Sequence, residues 1–186
     1  MGESHRGMNA GKVDRRRGKS DRLNRMKLLE EARDLAILEH NYKKALRKVK
    51  IILKSDPNDI DALTLQGGIL DLEGKYEKSL KCYERVLAID RDNTRALIDM
   101  GDCHSNLGNV EEALSFYDRA LTLLKNNIYY LSKEEELEEA HTGKILLLRE
   151  QGRVGEARKA VAAALADLPG FRPPRLDINA ERKRRK

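Results

Sequence analysis

The sequence predicts an all-α chain of antiparallel helical hairpins stacked as an α-solenoid. Three observations predict it. The chain repeats itself with a period of 34 residues; its apolar residues recur at spacings of three and four; and Leu and Ala stand among abundant Glu, Lys and Arg. Aromatics make up 4% of the 186 residues and tryptophan is absent, which is thin for a sandwich or barrel core.

The repeat falls into register when the chain is written in blocks from Met26, giving 26–59, 60–93 and 94–127 without a gap. Place 15 holds His40, Gly74 and Gly108, and place 17 holds Tyr42, Tyr76 and Val110. Place 20 holds Ala45, Ser79 and Ala113, each followed by a leucine, and place 28 holds Leu53, Leu87 and Leu121. The second and third blocks also share Gly67 with Gly101 and Tyr83 with Tyr117. A fourth block, 138–171, fits after an insertion over 128–137 and supplies Gly152, Val154, Ala157, Leu165 and Pro169 at the matching places. Ser132 and Glu135 have capping-box spacing, so the insertion is expected to be helix and the first helix of this block to begin near Ser132.

Each block reads as two amphipathic helices and a short turn, in the second block Ile60–Glu73 and Tyr76–Ile89. Gly74 stands where a left-handed C-terminal position asks for glycine. Gly67 and Gly101 lie inside helices, at a cost of about 1 kcal/mol each against alanine. The expected return is a close backbone crossing within the hairpin, with Ala45, Ala113 and Ala157 small for the same reason. Ahead of the array, Ser20-Asp21 is expected to start the first helix. Behind it, Pro169, Pro173 and Pro174 stop the last one. Only Leu176-Asp177-Ile178 then remain to cover the final hairpin. A partly bare surface at Val161, Ala164 and Leu165 would offer a route to weak homo-oligomers.

This punctuation by Gly, Tyr, Ala and Pro on a 34-residue period resembles the tetratricopeptide repeat family, and the resemblance covers 26–171. Departures are Arg33 at place eight of the first block and Arg91 and Lys125 where proline is usual. Leu29, Leu63, Leu97 and His141 stand where an aromatic is usual. The resemblance implies a right-handed superhelix, no enzymatic activity, and a concave groove that holds another protein or peptide. Its wall would be the first helix of each hairpin. The facing residues would be Lys27, Glu30, Asp34 and Ile37; Asp61, Thr64, Gly68 and Asp71; Arg95, Ile98, Asp102 and Ser105; and Glu139, Thr142, Leu146 and Arg149. Six carboxylates gather there when Asp99, one place off this pattern, is counted with Glu30, Asp34, Asp61, Asp71 and Asp102. A groove so lined suits a basic segment. Gly68 leaves room for a ligand backbone, and Ile37 and Ile98 offer apolar contact. Members of the family that clamp the carboxylate end of heat-shock chaperones use Lys, Asn and Arg at places that here hold Glu30, Asp34, Leu65, Arg95 and Asp99. Only Arg95 keeps the charge.

Charge is distributed unevenly. Residues 1–25 carry eight Lys and Arg against three acids, and residues 171–186 carry seven against two, so a net +6 chain consists of an acidic body and two basic tails. The reading by domains is a disordered basic tail over 1–19, the array over 20–171, and a second basic tail over 172–186. Arg15, Arg16 and Arg17, with Arg182, Lys183, Arg184, Arg185 and Lys186, form the alternative site, one for nucleic acid or another anionic surface. No aromatic interleaves them for base stacking.

No catalytic, cofactor or metal site is expected. Gly18-Lys19-Ser20 mimics the end of a phosphate loop, but Val13 occupies the place of the earlier glycine. Cys103 and His104 are adjacent and so point about 100° apart on a helix, and no two histidines have ligand spacing. Cys103 is read as a small core residue and Cys82 as a helix-surface thiol. Two unpaired cysteines, no leader-like apolar run and no membrane-length apolar segment predict a cytoplasmic location.

Overall fold

A computed structural model describes residues 7–126 and 134–174, with side chains from Ser20 onward. Among them are eight α-helices and no strand. They are α1 (Gly7–Ile37), α2 (Tyr42–Ser55), α3 (Ile60–Leu72), α4 (Tyr76–Ile89), α5 (Thr94–Asn106), α6 (Val110–Asn126), α7 (Glu134–Glu150) and α8 (Val154–Asp167). Consecutive helices pair into four antiparallel hairpins, and each second helix also packs on the first helix of the next hairpin.

Local chemistry places the boundaries. The last residue of a block caps the next first helix: Asp59 Oδ1 accepts Ala62 N–H at 2.9 Å, and Asn93 Oδ1 accepts Ala96 N–H at 3.0 Å. Asp59 is buried and is also gripped by the Arg25 guanidinium, whose hydrogen bonds hold its carboxyl well below the usual carboxylate range. At the other end, Gly74 has φ 73°. Lys75 N–H reaches Leu70 C=O and Gly74 N–H reaches Asp71 C=O, both at 2.8 Å, a Schellman stop. Gly108 and Gly152 repeat this geometry, whereas the first hairpin performs it with His40 at φ 51°.

The core is continuous through the stack. Ala32, Ala36, Ala45, Val49 and Ile52 fill the first hairpin; Leu63, Tyr83, Val86 and Met100 join the second to the third; Leu97, Tyr117, Leu124, Leu137 and Ile145 join the third to the fourth. The helix-interior glycines have a more specific role than a backbone crossing. A Cβ on Gly67 would lie 2.6 Å from the Tyr83 ring, and one on Gly101 would lie 2.6 Å from the Tyr117 ring. The glycines are therefore seats for the two buried tyrosines. Tyr117 also lies against Gly143 of the next hairpin, so one ring keys three helices together.

Two expectations are corrected. Residues 7–19, expected as disordered tail, continue α1: the segment has no proline and is dense in Lys and Arg, which are good helix formers. Cys82 is buried, because place 23 of the second helix turns toward α3, where its thiol lies 3.5 Å from Gln66 Oε1. Among the described residues the final hairpin is covered by Phe171, which lies 6% exposed beside His141; residues 176–178, expected to cover it, fall outside them. Leu165 remains exposed beyond it. The insertion shows its effect where it is described. α6 and α7 each have 17 residues, against 14 and 13 for α4 and α3, and the added turn of α7 buries Leu137. Ser132 lies outside the described residues.

Candidate functional site

The odd-numbered helices touch their odd neighbours closely, α1 on α3, α3 on α5 and α5 on α7, in a way the even-numbered ones do not. The stack therefore curves toward α1, α3, α5 and α7, and these form its inner wall.

At the centre of that wall two carboxylates meet one guanidinium, and two more lie close by. Arg95 Nε lies 3.2 Å from Asp99 Oδ1, one turn along α5, and Arg95 also bonds Glu139 of α7. Asp102, one turn beyond Asp99, accepts a 2.5 Å hydrogen bond from the Tyr117 hydroxyl. Asp71, on α3, accepts a 3.4 Å bond from the Cys103 thiol. Burial raises the carboxyls of Asp71, Asp99 and Asp102 above the usual range. Asp99 is pushed up to about 6, with Arg95 opposing the shift and the neighbouring charges of Asp102 and Glu139 adding to it. Burial likewise raises the Cys103 thiol, to about 12, so it stays protonated and able to donate to Asp71. The cluster thus holds closely spaced negative charge that Arg95 alone does not balance.

The predicted lining residues divide into three groups. Asp71, Arg95, Asp102 and Glu139 come together as described, and Thr64, Gly68, Ser105 and Thr142 are half-buried on the same helices. A Cβ on Gly68 would meet nothing nearer than the Tyr83 hydroxyl at 3.9 Å, so the wall is open there. The α1 members Lys27, Glu30, Asp34 and Ile37 are exposed, with Lys27 Nζ 3.9 Å from Glu31, and Leu146 is exposed on α7. Three residues depart from the expectation. Ile98 is 1% exposed within the core that α5 shares with α6, α7 and α8, so it offers no contact to a ligand. Asp61 is bonded to Arg25 and is locally neutralised. Arg149 donates to the Pro174 carbonyl and holds the chain after α8 against the inner wall.

Asp99 belongs to the centre of the cluster, although the family's pattern of places sets it at the edge. The sequence signal that could have found it is the i,i+4 pair Arg95–Asp99. The Tyr117 and Cys103 donors carried no such signal, because they come from the packed side of their helices. The side chains of Arg15, Arg16 and Arg17 and all of residues 182–186 lie outside what is described.

Residues 72–137 match the family model described as Tetratricopeptide repeat. That stretch of the chain carries tetratricopeptide repeats. No curated protein matches the chain. Among solved structures, this repeat protein is similar to MamA from Desulfovibrio magneticus RS-1 at 20% identity and TM-score 0.62, over 76% of this chain and 74% of that one. It is also similar to the Sgt2 TPR domain from Aspergillus fumigatus at 18% identity and TM-score 0.57, over 83% and 87%. The first TPR of Spaghetti (RPAP3), bound to the HSP90 peptide SRMEEVD, is similar at 20% identity and TM-score 0.51, over 63% and 93%. At these identities the likeness is one of fold, the right-handed superhelical stack of hairpins. No helix among the described residues is long and apolar enough to cross a membrane.

Proposed function

We propose that this tetratricopeptide repeat protein is a non-catalytic interaction scaffold whose inner wall holds a Lys- or Arg-bearing segment of another protein. The supporting observation is the cluster of Asp71, Asp99, Asp102 and Glu139 beside Arg95. The raised carboxyls of Asp71, Asp99 and Asp102 mark charge that burial leaves poorly solvated, and a ligand cation placed among them relieves that cost. Peptide binding by a protein of this fold is supported by the structural neighbour bound to the HSP90 peptide SRMEEVD. That peptide is rich in carboxylates, and the acidic wall here repels such a sequence and selects the opposite sign.

The test uses fluorescein-labelled dodecapeptides of alternating Lys and Ala, or Glu and Ala, with the full chain at low salt. The Lys peptide is expected to bind, and D71N/D99N/D102N to weaken it at least tenfold with unchanged helicity. Protonation of Asp99 removes an attracting charge, so the affinity is expected to fall as pH drops from 7 to 5. Equal binding by the variant, or preference for the Glu peptide, would refute the proposal.

A further inference from the structure

The opposite side of the molecule carries a second charged surface. The sequence of α2, YKKALRKVKIILKS, contains six cations and no acid. Lys43, Arg47, Lys50 and Lys54 follow one another at four, three and four residues. At about 100° per residue this places them within roughly 60° of arc, a straight stripe about 16 Å long. All four are exposed, and no hydrogen bond or ion pair engages their side chains among the described residues. Elsewhere Arg25, Arg95, Arg119, Lys144 and Arg153 each hold a carboxylate, but on α2 only Lys48 does so, by reaching back to Glu31.

The neighbouring outer helix continues the charge. Lys78 and Lys81 of α4 repeat the places of Lys44 and Arg47 and are likewise exposed. The same places on α6 hold Glu112 and Ser115, so the positive surface ends after the second hairpin. At the other margin, Arg22 and Met26 of α1 lie beside Ser55 and Asp56 at the end of α2. Residues 7–19 therefore carry α1 past that end, through a stretch of sequence with five Lys and Arg over 12–19.

We propose that the outer face of α2, extended by α4, is a docking surface for the phosphodiester backbone of a nucleic acid, read by charge and not by base. A line of cations about every 5 Å complements a regular row of phosphates. The stripe has no aromatic to stack on bases and no Asn or Gln to read them. A membrane surface is a poorer occupant, because Ile51 is the lone exposed apolar residue on α2 and lies at the margin of the stripe. An acidic protein meets the same charge and is the rival occupant that polyglutamate tests. This surface lies on the even-numbered helices, with Arg47 at its margin sharing a cavity with Glu31, Asp34 and Glu39, and it does not depend on the reading of the groove.

The experiment measures anisotropy of a fluorescein-labelled 20-base-pair duplex and a 20-nucleotide single strand with the full chain between 20 and 200 mM salt. Four engaged phosphates predict a log–log slope of about −3.6 on duplex and about −2.8 on single strand. K43Q/R47Q/K50Q/K54Q is expected to weaken binding at least tenfold at 50 mM salt and remove most of the slope, with helicity intact because all four side chains are solvent-exposed. R15Q/R16Q/R17Q and neutralisation of residues 182–186 are expected to leave most of the slope. Polyglutamate and phosphatidylserine vesicles serve as rival probes. The proposal is overturned if the quadruple variant binds like the parent, if only the tail variants lose binding, if either rival probe binds more tightly than nucleic acid, or if no nucleic acid binds at 20 mM salt.

Discussion

Asp99 shows how much of this protein's chemistry turns on single side chains. Its carboxyl sits near 6 because burial disfavours the charged form more than Arg95 restores it. A raised carboxyl binds its proton more tightly in the folded chain than in the unfolded one. The stabilisation it gives is therefore complete below about pH 4 and is lost as pH rises through 6. Asn at this position does not titrate, so D99N is expected to gain on the parent by on the order of 2 kcal/mol between pH 4 and pH 7.5. Urea unfolding at the two pH values measures this difference, and a constant offset would show that Asp99 does not titrate in this window. The residue was visible in the sequence as a partner of Arg95. Its burial was not, since that depends on α7 lying alongside α5.

At the scale of the element, the three glycine-stopped first helices and the one that ends without glycine make a natural comparison. Gly74, Gly108 and Gly152 adopt positive φ without cost, while His40 must hold φ 51° with a Cβ in place. Replacing His40 by glycine is expected to stabilise the chain by about 0.5–1 kcal/mol, less than the full steric penalty because glycine also loosens the unfolded chain. A higher midpoint in thermal unfolding checks this, and an unchanged or lower midpoint would show that the His40–Tyr42 ring contact outweighs the strain. The helix boundaries themselves were legible. The second block was expected at Ile60–Glu73 and Tyr76–Ile89, and its helices run Ile60–Leu72 and Tyr76–Ile89. Gly and the Asp or Asn caps act locally, so their effect can be read without knowing what packs where. The seating of Tyr83 on Gly67 is different, since it joins residues 16 apart in sequence and explains a glycine that local propensity only penalises.

Across the whole molecule, a repeat array stands on the interfaces between units and on the closure of its ends. The rear end is closed by Phe171, which folds back over His141, while Asp167 bonds His141 Nε2 at 2.9 Å and Lys125 Nζ at 3.1 Å. F171A is expected to cost about 3 kcal/mol, with the fourth hairpin exchanging amide protons faster than the first three. Uniform loss of protection along the chain would show instead that the stack unfolds as one unit. The charge is also organised at this scale, negative on the inner wall and positive on the outer face of the first two hairpins. A single net charge of +6 conceals that separation.

By itself the sequence determined the period, the helical hairpins, their caps and stops, and the inner helices that carry the acids. All of these follow from residues no more than one block apart, or from propensities that act within a few residues. The tertiary structure decided which of those residues face a ligand. It drew Ile98 into the core, paired Asp61 with Arg25, set Asp99 and Glu139 against Arg95, and bonded Asp71 and Asp102 to Cys103 and Tyr117 beside them. Burial and charge compensation are properties of neighbours across hairpins, and only the stacking of one unit on the next creates those neighbours.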